Sequence, residues 1–337
     1  IMLSQLKKGE IDILIGTHAL IEKRVEFRRL GLVIIDEQHK FGVAQRAKLW
    51  SKKREFYPHV LVMTATPIPR TLALTLYGDL DVSVIDELPS GRKEIITSHR
   101  FDNSRLKVFN FIKKTVDLGG QVYVVYPLIE ESAKKDHKDL IDGYKSLTRY
   151  FPETQIGVLH GRMKSENKEY EMKRFADGKS KILVSTTVIE VGVDVANASV
   201  IIIESAERFG LSQLHQLRGR VGRGSAQSYC ILMTKYDLNN DSKERIKAMV
   251  GSSDGFKIAN VDLKMRGPGN MMGTKQSGLL ELRFVNLAED YNVIKQTRIV
   301  ASELIKDDPN LSDQKNKGTK EHLKKSIKSN INWSRVS

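Results

Sequence analysis

The chain has 337 residues, enough for two or three domains, and 40% of them are hydrophobic, so sizeable cores can be buried. No apolar run approaches the roughly 18 residues of a transmembrane helix, residues 1–10 lack the pattern of a signal peptide, and the one cysteine, Cys230, excludes a disulfide framework and a Cys-rich zinc site. These features predict a cytoplasmic protein that contacts no membrane. Lys and Arg total 55 against 41 Asp and Glu, a net charge of +14. This positive charge suits binding to nucleic acid, with an ordinary basic soluble protein as the alternative.

Short apolar runs rich in β-branched residues recur along the chain and predict buried parallel strands. These runs are Ile11–Ile15, Leu32–Ile35, Val60–Met63, Val122–Val125, Gln155–Leu159, Ile182–Val184, Val200–Ile203 and Tyr229–Met233. Helical spacing lies between them, as in Arg105–Val116 and Lys164–Phe175. The alternation predicts an α/β doubly wound fold. Ligands of such folds bind beyond the carboxyl ends of the strands, so we expect the chemistry directly after these runs.

Two changes in pattern suggest domain boundaries. Pro, Ser and Gly come together in Glu87–Lys93, which predicts a linker, and beyond Tyr236–Ser242 the strand pattern gives way to helical patterns. We therefore expect a first α/β domain at 1–90, a second at 91–237, a helical region at 238–310 and a basic tail at 311–337. From Asn310 to Ser337, seven Lys or Arg stand against two Asp or Glu, which favours a mobile, solvated tail over one that contacts DNA nonspecifically.

The segment Gly31–His39, GLVIIDEQH, places two carboxylates at the end of a predicted strand. Phosphate hydrolysis needs a carboxylate for magnesium and a group that orients the attacking water. Asp36 suits the metal, Glu37 suits the water, and Gln38 and His39 could sense the phosphate. An acidic strand end without a catalytic role is the alternative for this segment taken alone.

Two further segments follow predicted strands. In MTATPIPR, the hydroxyls of Thr64 and Thr66 come directly before a turn that two prolines make rigid. In HGRM, His160 and Arg162 follow the run that ends at Leu159. Either segment could contact a ligand or a nucleic-acid backbone, and either could be an ordinary strand–turn connection.

The segment TTVIEVGVD follows the run Ile182–Val184. The hydroxyls of Thr186 and Thr187 could meet a nucleic-acid backbone. Gly192 opens a turn, and the acid Asp194 could meet a ribose. A loop with a solvated acid explains this segment equally well when it is taken alone.

The strongest local signal is QLHQLRGRVGRG, residues 213–224, in which arginines and glycines alternate. Glycines allow tight turns, and the planar guanidinium forks of Arg218, Arg220 and Arg223 suit phosphate. Arg220 and Arg223 are three apart, which would place them on one face of a helical turn. They could therefore stabilise a terminal phosphate as charge develops. A basic solvated loop or a passive nucleic-acid patch is the alternative.

Taken in order, DEQH, TATP, HGRM, TTVIEVGVD and QxxGRxGR resemble the motifs of superfamily 2 helicases over about Ile11–Tyr236. The resemblance implies two RecA-like domains that bind ATP with Mg²⁺ in the cleft between them. It implies that Asp36 holds the metal, that Glu37 activates water, and that Arg220 and Arg223 reach the phosphates. The remaining nucleotide contacts that it implies are Gln38, His39, Gly192, Asp194 and Gln216. The residues that it assigns to interdomain coupling or DNA are Thr64, Thr66, His160, Arg162, Thr186 and Thr187.

Longer stretches resemble the RecG family of branched-DNA translocases: GTHALI, DEQHKFGVAQR, QVYVVYPLIEES and RGPG…TKQSG. Asp254–Gly278 is similar to a translocation motif that RecG shares with Mfd, in which a helical hairpin and a following loop transmit closure to DNA. Arg245, Arg266 and Gln276 match its functional positions. The fold expected is thus two RecA-like parallel-sheet domains, the first incomplete, followed by a mainly helical region with a helical hairpin. An Mfd-like transcription-repair translocase and a non-catalytic nucleic-acid-binding module remain alternatives.

The sequence departs from the RecG pattern at a few positions. Asn270 stands where an acid is usual, Lys40 and Lys275 where arginine is usual, and Ala196 where proline is usual. No GxxxxGK[ST] loop occurs in the 337 residues. We expect that loop and a DNA-wedge domain to lie upstream in a longer protein, and this chain alone to have little ATPase activity.

The resemblance also implies partners. Replication forks and Holliday junctions are the expected DNA substrates in repair and recombination. Single-stranded DNA-binding protein is a candidate partner of the longer protein, and a monomer is the expected state.

Overall fold

The protein is described from a computed structural model, which covers residues 2–22, 24–37, 58–64, 81–87, 89, 91–127, 133–186, 195–266, 285 and 290–329. The chain forms two compact units. The larger unit comprises residues 83–275, and the smaller unit comprises residues 1–82 together with 276–337.

A six-stranded, wholly parallel sheet forms the centre of the larger unit. Its strands in chain order are β3 (Ile96–Phe101), β4 (Gln121–Tyr126), β5 (Ile156–Leu159), β6 (Ile182–Thr186), β7 (Ala198–Ile203) and β8 (Tyr229–Thr234), and they lie in the order β3-β8-β7-β4-β6-β5. The two strands before them, β1 (Leu32–Ile35) and β2 (His59–Val62), belong to the smaller unit. Strands β4 and β6 are buried along their whole length, as the continuous apolar runs predict for a sheet covered on both faces.

Helices cover both faces of this sheet. They are α2 (Arg105–Asp117), α3 (Ala133–Tyr150), α4 (Ser165–Ala176), α5 (Leu211–Arg218), α6 (Asn240–Gly251) and α7 (Gly255–Arg266). The helix before them, α1 (Met2–Lys8), belongs to the smaller unit. Alternate residues of β4 show the two layers. Val122 and Val124 pack with the residues of α2 and α3, whereas Tyr123 and Val125 pack with those of α4 to α7. Helices α6 and α7, separated by residues 252–254, form the predicted helical hairpin.

The smaller unit contains a pair of parallel strands, β1 (Leu32–Ile35) and β2 (His59–Val62), with helices α1 (Met2–Lys8), α8 (Tyr291–Asp307) and α9 (Lys317–Ser329). The prediction of a strand at Ile11–Ile15 is wrong. These residues form no strand, and Ile13 and Ile15 are 80% and 91% exposed. In none of the described ranges does a helix combine the length and the apolar character that crossing a bilayer requires.

The C-terminal segment differs from the tail that the sequence analysis expects, because α9 is a helix and a compact turn connects it to α8. The carboxylate of Asp308 accepts hydrogen bonds from the backbone N–H of Ser312 at 2.8 Å and of Asp313 at 2.9 Å, and from the Asn316 amide at 2.8 Å. Leu311 is buried and adopts a left-handed φ of 48°. Local hydrogen bonding of an acid, which composition does not reveal, thus orders the approach to α9.

This turn should be sensitive to acid. The hydrogen bonds from Ser312, Asn316 and Asp313 hold the pKa of Asp308 below its ordinary value of 3.8. A depressed folded-state pKa means that the stabilisation is complete above that ordinary value and is lost as the pH falls through the folded pKa. We expect the amide protection factors of Ser312 and Asp313 to fall below about pH 4. In Asp308→Asn they should be lower at neutral pH and lose this pH dependence, and an unchanged acid profile in that variant would contradict the assignment.

Candidate functional site

The acidic motif of the smaller unit lies at the carboxyl ends of two neighbouring strands. Strand β1 ends at Ile35, paired with Val62 of β2, so Asp36 and Glu37 leave the same edge as Thr64. The Asp36 carboxylate accepts the Glu37 backbone N–H at 2.9 Å. Glu37 adopts a left-handed φ of 52°, a conformation that is unfavourable for an L-residue and is concentrated at functional sites. The structure therefore brings these three predicted residues to one edge.

The chemistry of this edge fits magnesium. Asp36 is exposed and Glu37 is half-buried. Among the described residues, Asp36 belongs to no cluster of three possible metal ligands. A single carboxylate is nevertheless appropriate, because Mg²⁺ usually takes one or two protein carboxylates and completes its shell with water and phosphate oxygens.

The carboxyl edge of the larger unit gathers a second group of predicted residues. Leu159 of β5 pairs with Ser185 of β6, so His160 and Thr186 follow at the same level on neighbouring strands. The Thr186 hydroxyl is buried and finds no hydrogen-bond partner among the described residues. Arg162 lies on an exposed turn, which the Lys168 ammonium closes by donating to the Gly161 carbonyl at 2.9 Å. The exposed Arg162 and the half-buried His160 at this edge suit contact with a phosphate backbone, whereas the Thr186 hydroxyl is covered.

The arginine segment lies elsewhere, which corrects the expectation that the chemistry follows the strands. Helix α5 ends at Arg218, and the loop of residues 219–227 leads back to β8. Gly222 lies against Ile95, directly before β3, and Gly224 lies against Ala196, two residues before β7. The loop is therefore at the amino edge of the sheet. Because α5 runs antiparallel to the strands, it carries the arginines to the edge opposite His160 and Thr186.

The glycines of this loop have specific structural roles. Gly222 has a left-handed φ of 81°, which ends any helical turn between Arg220 and Arg223, so these two arginines do not share a helix face as the spacing suggests. A Cβ on Gly224 would lie 2.6 Å from the Ala196 carbonyl oxygen. The backbone thus packs directly against the segment that follows Asp194. Both arginines are half-buried in this loop.

These contacts predict unequal effects of two alanine substitutions. Gly224→Ala should destabilise the larger unit by about 1–3 kcal/mol, because a backbone carbonyl cannot move aside as a side chain can. Gly219→Ala is the matched control. Gly219 has a right-handed helical conformation, and its Cβ would meet nothing nearer than 3.5 Å. Urea unfolding of both variants tests the packing of Gly224, and equal stabilities would contradict it.

Arg218 has a role that sequence reasoning misses. Its side chain is 3% exposed. The guanidinium donates to the carbonyls of Met249, Ser252 and Ser253 at 3.1, 2.7 and 3.1 Å. These carbonyls belong to the end of α6 and the turn of the helical hairpin, where backbone acceptors lack helical partners. Arg218 therefore joins the arginine segment to the hairpin.

A half-buried histidine also contacts Arg218. Its Nη2 lies 3.1 Å from Nδ1 of His215, one helical turn earlier. Burial first, and then the positive charge of Arg218, lower the pKa of His215 to about 4. The imidazole is therefore neutral at physiological pH and can accept this hydrogen bond.

Arg245 of α6 makes a parallel connection. Its guanidinium donates to the carbonyls of Phe209 and Glu207 at 3.1 Å each and to the Ser242 hydroxyl at 2.9 Å. These carbonyls lie in the loop that enters α5. Arg218 and Arg245 thus fix both ends of α5 to the hairpin. Arg245, for which a coupling role is predicted, is therefore engaged within the protein, on the chain that leads to the arginine segment.

Several predicted residues lie outside the described part of the chain. They are Gln38, His39, Thr66, Thr187, Gly192, Asp194 and Gln276. Arg266 is the last residue of α7, and Gln216 lies on α5 before the loop. Their assigned roles remain predictions.

Three protein families match successive parts of the chain. Residues 1–75 match the family described as DEAD/DEAH box helicase, residues 106–225 match the helicase conserved C-terminal domain, and residues 252–337 match the C-terminal part of domain 3 of the ATP-dependent DNA helicase RecG. The last match covers α7, α8 and α9.

The sequence is similar to curated proteins named ATP-dependent DNA helicase RecG. Identity is 56% with the protein of Synechocystis, 50% with that of Aquifex aeolicus and 49% with that of Bacillus subtilis, over 91% of this chain in each case. The chain spans 37%, 39% and 45% of the length of these relatives.

Solved structures agree with this similarity. RecG bound to a three-way DNA junction matches 80% of this chain and 35% of that one, at 48% identity and a TM-score of 0.64. Yeast Dbp5 bound to RNA and ADP BeF3 matches 69% of this chain and 61% of that one, at 15% identity and a TM-score of 0.51. The second match concerns the fold alone and supports the RecA-like architecture of the sheet.

Proposed function

This chain belongs to the RecG family, of which it matches the C-terminal helicase portion, and from that premise we propose that it is part of an ATP-dependent translocase that remodels branched DNA. The substrates proposed are stalled replication forks and Holliday junctions in repair and recombination. We use the term intact protein for a chain as long as these curated relatives. The proposal concerns that intact protein.

One observation carries the ATP part of the proposal. The glycine-shaped loop holds Arg220 and Arg223 at the amino edge of the sheet, packed against the segment directly after Asp194. Guanidinium forks suit phosphate, so this loop would contact the phosphates of the nucleotide. ATP with Mg²⁺, when bound, supplies the phosphate bond whose hydrolysis drives movement. Asp36 would hold the metal, and Glu37 would orient water.

A separate surface supports contact with DNA. His160, Arg162 and Thr186 lie at the carboxyl edge, opposite the arginine loop. Ion pairs with phosphate and little base readout would make binding strongly dependent on salt. A relative's structure contains a three-way DNA junction, which supports branched DNA as the substrate class.

The connection between these edges runs through the hairpin. Arg218 and Arg245 fix the two ends of α5 to α6 and to the hairpin turn. A shift of the arginine loop on nucleotide binding would therefore move α6 and α7 with α5. We infer that this rigid attachment transmits the ATP cycle toward the DNA.

ATP turnover by the intact protein tests the proposal. Branched DNA should raise the turnover rate more than a linear duplex of equal length does. The 337-residue chain, whose sequence contains no GxxxxGK[ST] loop, should turn ATP over far more slowly than the intact protein. Equal stimulation by the two DNAs would contradict branch specificity, and rapid Mg²⁺-dependent turnover by the 337-residue chain would contradict its expected inactivity.

A further inference from the structure

The helix α9 carries a strongly basic surface that none of the motifs above uses. Lys317, Lys324 and Lys325 are exposed, and Lys320 is half-buried. Among the described residues, no carboxylate forms an ion pair with Lys317, Lys324 or Lys325, whereas Lys315 just before the helix is paired with Asp313 at 3.6 Å. Lys317, Lys324 and Lys325 are therefore available to an external anion, whereas the charge of Lys320 also acts on the Asp308 carboxylate.

The spacing of the lysines places them together. Lys317, Lys320 and Lys324 are three and four residues apart, so they fall on one face of the helix. At 1.5 Å per residue they extend over roughly 10 Å along the helix axis. Glu321 borders this face and is its nearest carboxylate in sequence. A row of cations of this length matches several consecutive phosphates of a nucleic-acid strand.

The lysines stand on an ordered element. Asp308 holds the turn between α8 and α9 through three hydrogen bonds, one of them from Asn316, the residue directly before α9. Leu311 is buried within the same turn despite its left-handed φ of 48°. An ordered helix loses less entropy when it binds than a mobile tail does, so the same charges bind more favourably here.

We propose that α9 contacts the phosphate backbone of duplex DNA through Lys317, Lys320 and Lys324. This contact rests on the proposed function as a DNA translocase and adds to it a site outside the helicase motifs. The contact is electrostatic and independent of sequence. It serves to hold the duplex, and it takes no part in ATP hydrolysis.

The test measures binding of the 337-residue chain to a fluorescently labelled blunt duplex by anisotropy, without ATP, between about 50 and 200 mM salt. The variant Lys317→Gln/Lys320→Gln/Lys324→Gln should lower the slope of log affinity against log salt by about 2 to 3 units, because each phosphate contact contributes about 0.9. Glutamine has nearly the helix propensity of lysine, so α9 should persist, as circular dichroism can verify.

Two controls separate this contact from general charge. Glu321→Gln removes the carboxylate beside the lysines and should raise the affinity. Lys107→Gln/Lys113→Gln/Lys114→Gln removes three exposed lysines of α2 in the larger unit and should leave the slope within one unit of the wild-type value. Retained binding with an unchanged slope in the α9 variant would overturn this inference and leave the proposed function intact. An equal decrease of the salt slope in the α2 variant would also overturn this inference. Wild-type protein that binds phosphatidylserine vesicles more strongly than the duplex at equal salt would overturn it as well.

Discussion

Replacing Arg223 with alanine is expected to lower the rate of ATP turnover by the intact protein about 10³-fold or more, with a much smaller change in the KM for ATP. A guanidinium directed at the terminal phosphate stabilises charge that develops in the transition state, and such arginines contribute about 10³–10⁵ in rate. Arg223 lies between Gly222 and Gly224, in a loop whose position is set by a left-handed turn and by the close approach to Ala196. The loop should therefore keep its shape when the side chain is removed.

Two further variants make this result specific. Arg223→Lys keeps the charge but loses the planar fork, so turnover should recover only in part. Arg149→Ala removes an exposed arginine of α3 and should leave turnover unchanged. Steady-state ATPase assays with saturating DNA compare the three, and wild-type turnover by Arg223→Ala would exclude this arginine from the phosphate site.

The second large effect is expected on stability. Arg218→Ala should lower the free energy of unfolding of the larger unit by about 3 kcal/mol, because it leaves the carbonyls of Met249, Ser252 and Ser253, the first of them on a buried residue, without their charged donor. Arg218→Lys should recover only part of this loss, since one ammonium cannot reach acceptors arranged for a fork. Urea unfolding measures the difference, and Arg149→Ala again serves as the exposed control, with an expected change within about 0.5 kcal/mol.

The histidine beside Arg218 adds a dependence on pH. The folded pKa of His215, about 4, is below the ordinary value of 6.5. A lowered folded-state pKa means that stabilisation by the neutral imidazole is complete above pH 6.5 and is lost as the pH falls toward 4. Arg218→Ala should weaken this dependence, because it removes the positive charge that adds to the effect of burial on the pKa of His215. A free energy of unfolding of the wild type that is constant from pH 7 to pH 4 would contradict this account of the pair. So would an Arg218→Ala variant whose free energy of unfolding is lower than that of the wild type by less than about 1 kcal/mol.

Much of the sheet could be predicted from sequence, since strands covered on both faces leave continuous apolar runs. The prediction of buried strands is confirmed for Ile182–Val184 and Val200–Ile203, which lie within β6 and β7. Leu32–Ile35 does form strand β1, but only Ile35 of it is buried. Strand β3, ITSHRF, is missed because it is an edge strand with polar and half-exposed residues. The strand predicted at Ile11–Ile15 is absent although the run is apolar. Ile13 and Ile15 are exposed, and no strand pairs with this segment among the described residues.

The candidate site, like the sheet, could be predicted from sequence only in part. The motifs could be found because glycines, acids and arginines at fixed spacing suit particular chemistry. What spacing could not reveal is which edge of the sheet each motif occupies. The placement of the arginine loop at the amino edge depends on the direction of α5, and the role of Arg218 depends on the turn between α6 and α7, more than 30 residues further along the chain. The turn that leads into α9 is likewise held by hydrogen bonds to one acid, Asp308, which the composition of this segment does not reveal.

The two edges of the larger unit suggest how the work is divided. Arginines that suit ATP lie at the amino edge, and polar residues that suit DNA lie at the carboxyl edge. Arg218 and Arg245 attach α5, which runs between these edges, to the hairpin. Variants of the two edges should therefore separate in their effects, with the arginine loop governing turnover and the carboxyl edge governing the affinity for DNA.

ATP-driven processing of a model replication fork by the intact protein tests the central claim most directly. The assay follows strand exchange at a labelled fork with homologous arms, beside a linear duplex of the same length. The account predicts processing of the fork that requires ATP and Mg²⁺, that leaves the linear duplex unchanged and that is lost in Arg223→Ala. Fork processing without ATP, or at an undiminished rate in Arg223→Ala, would contradict it.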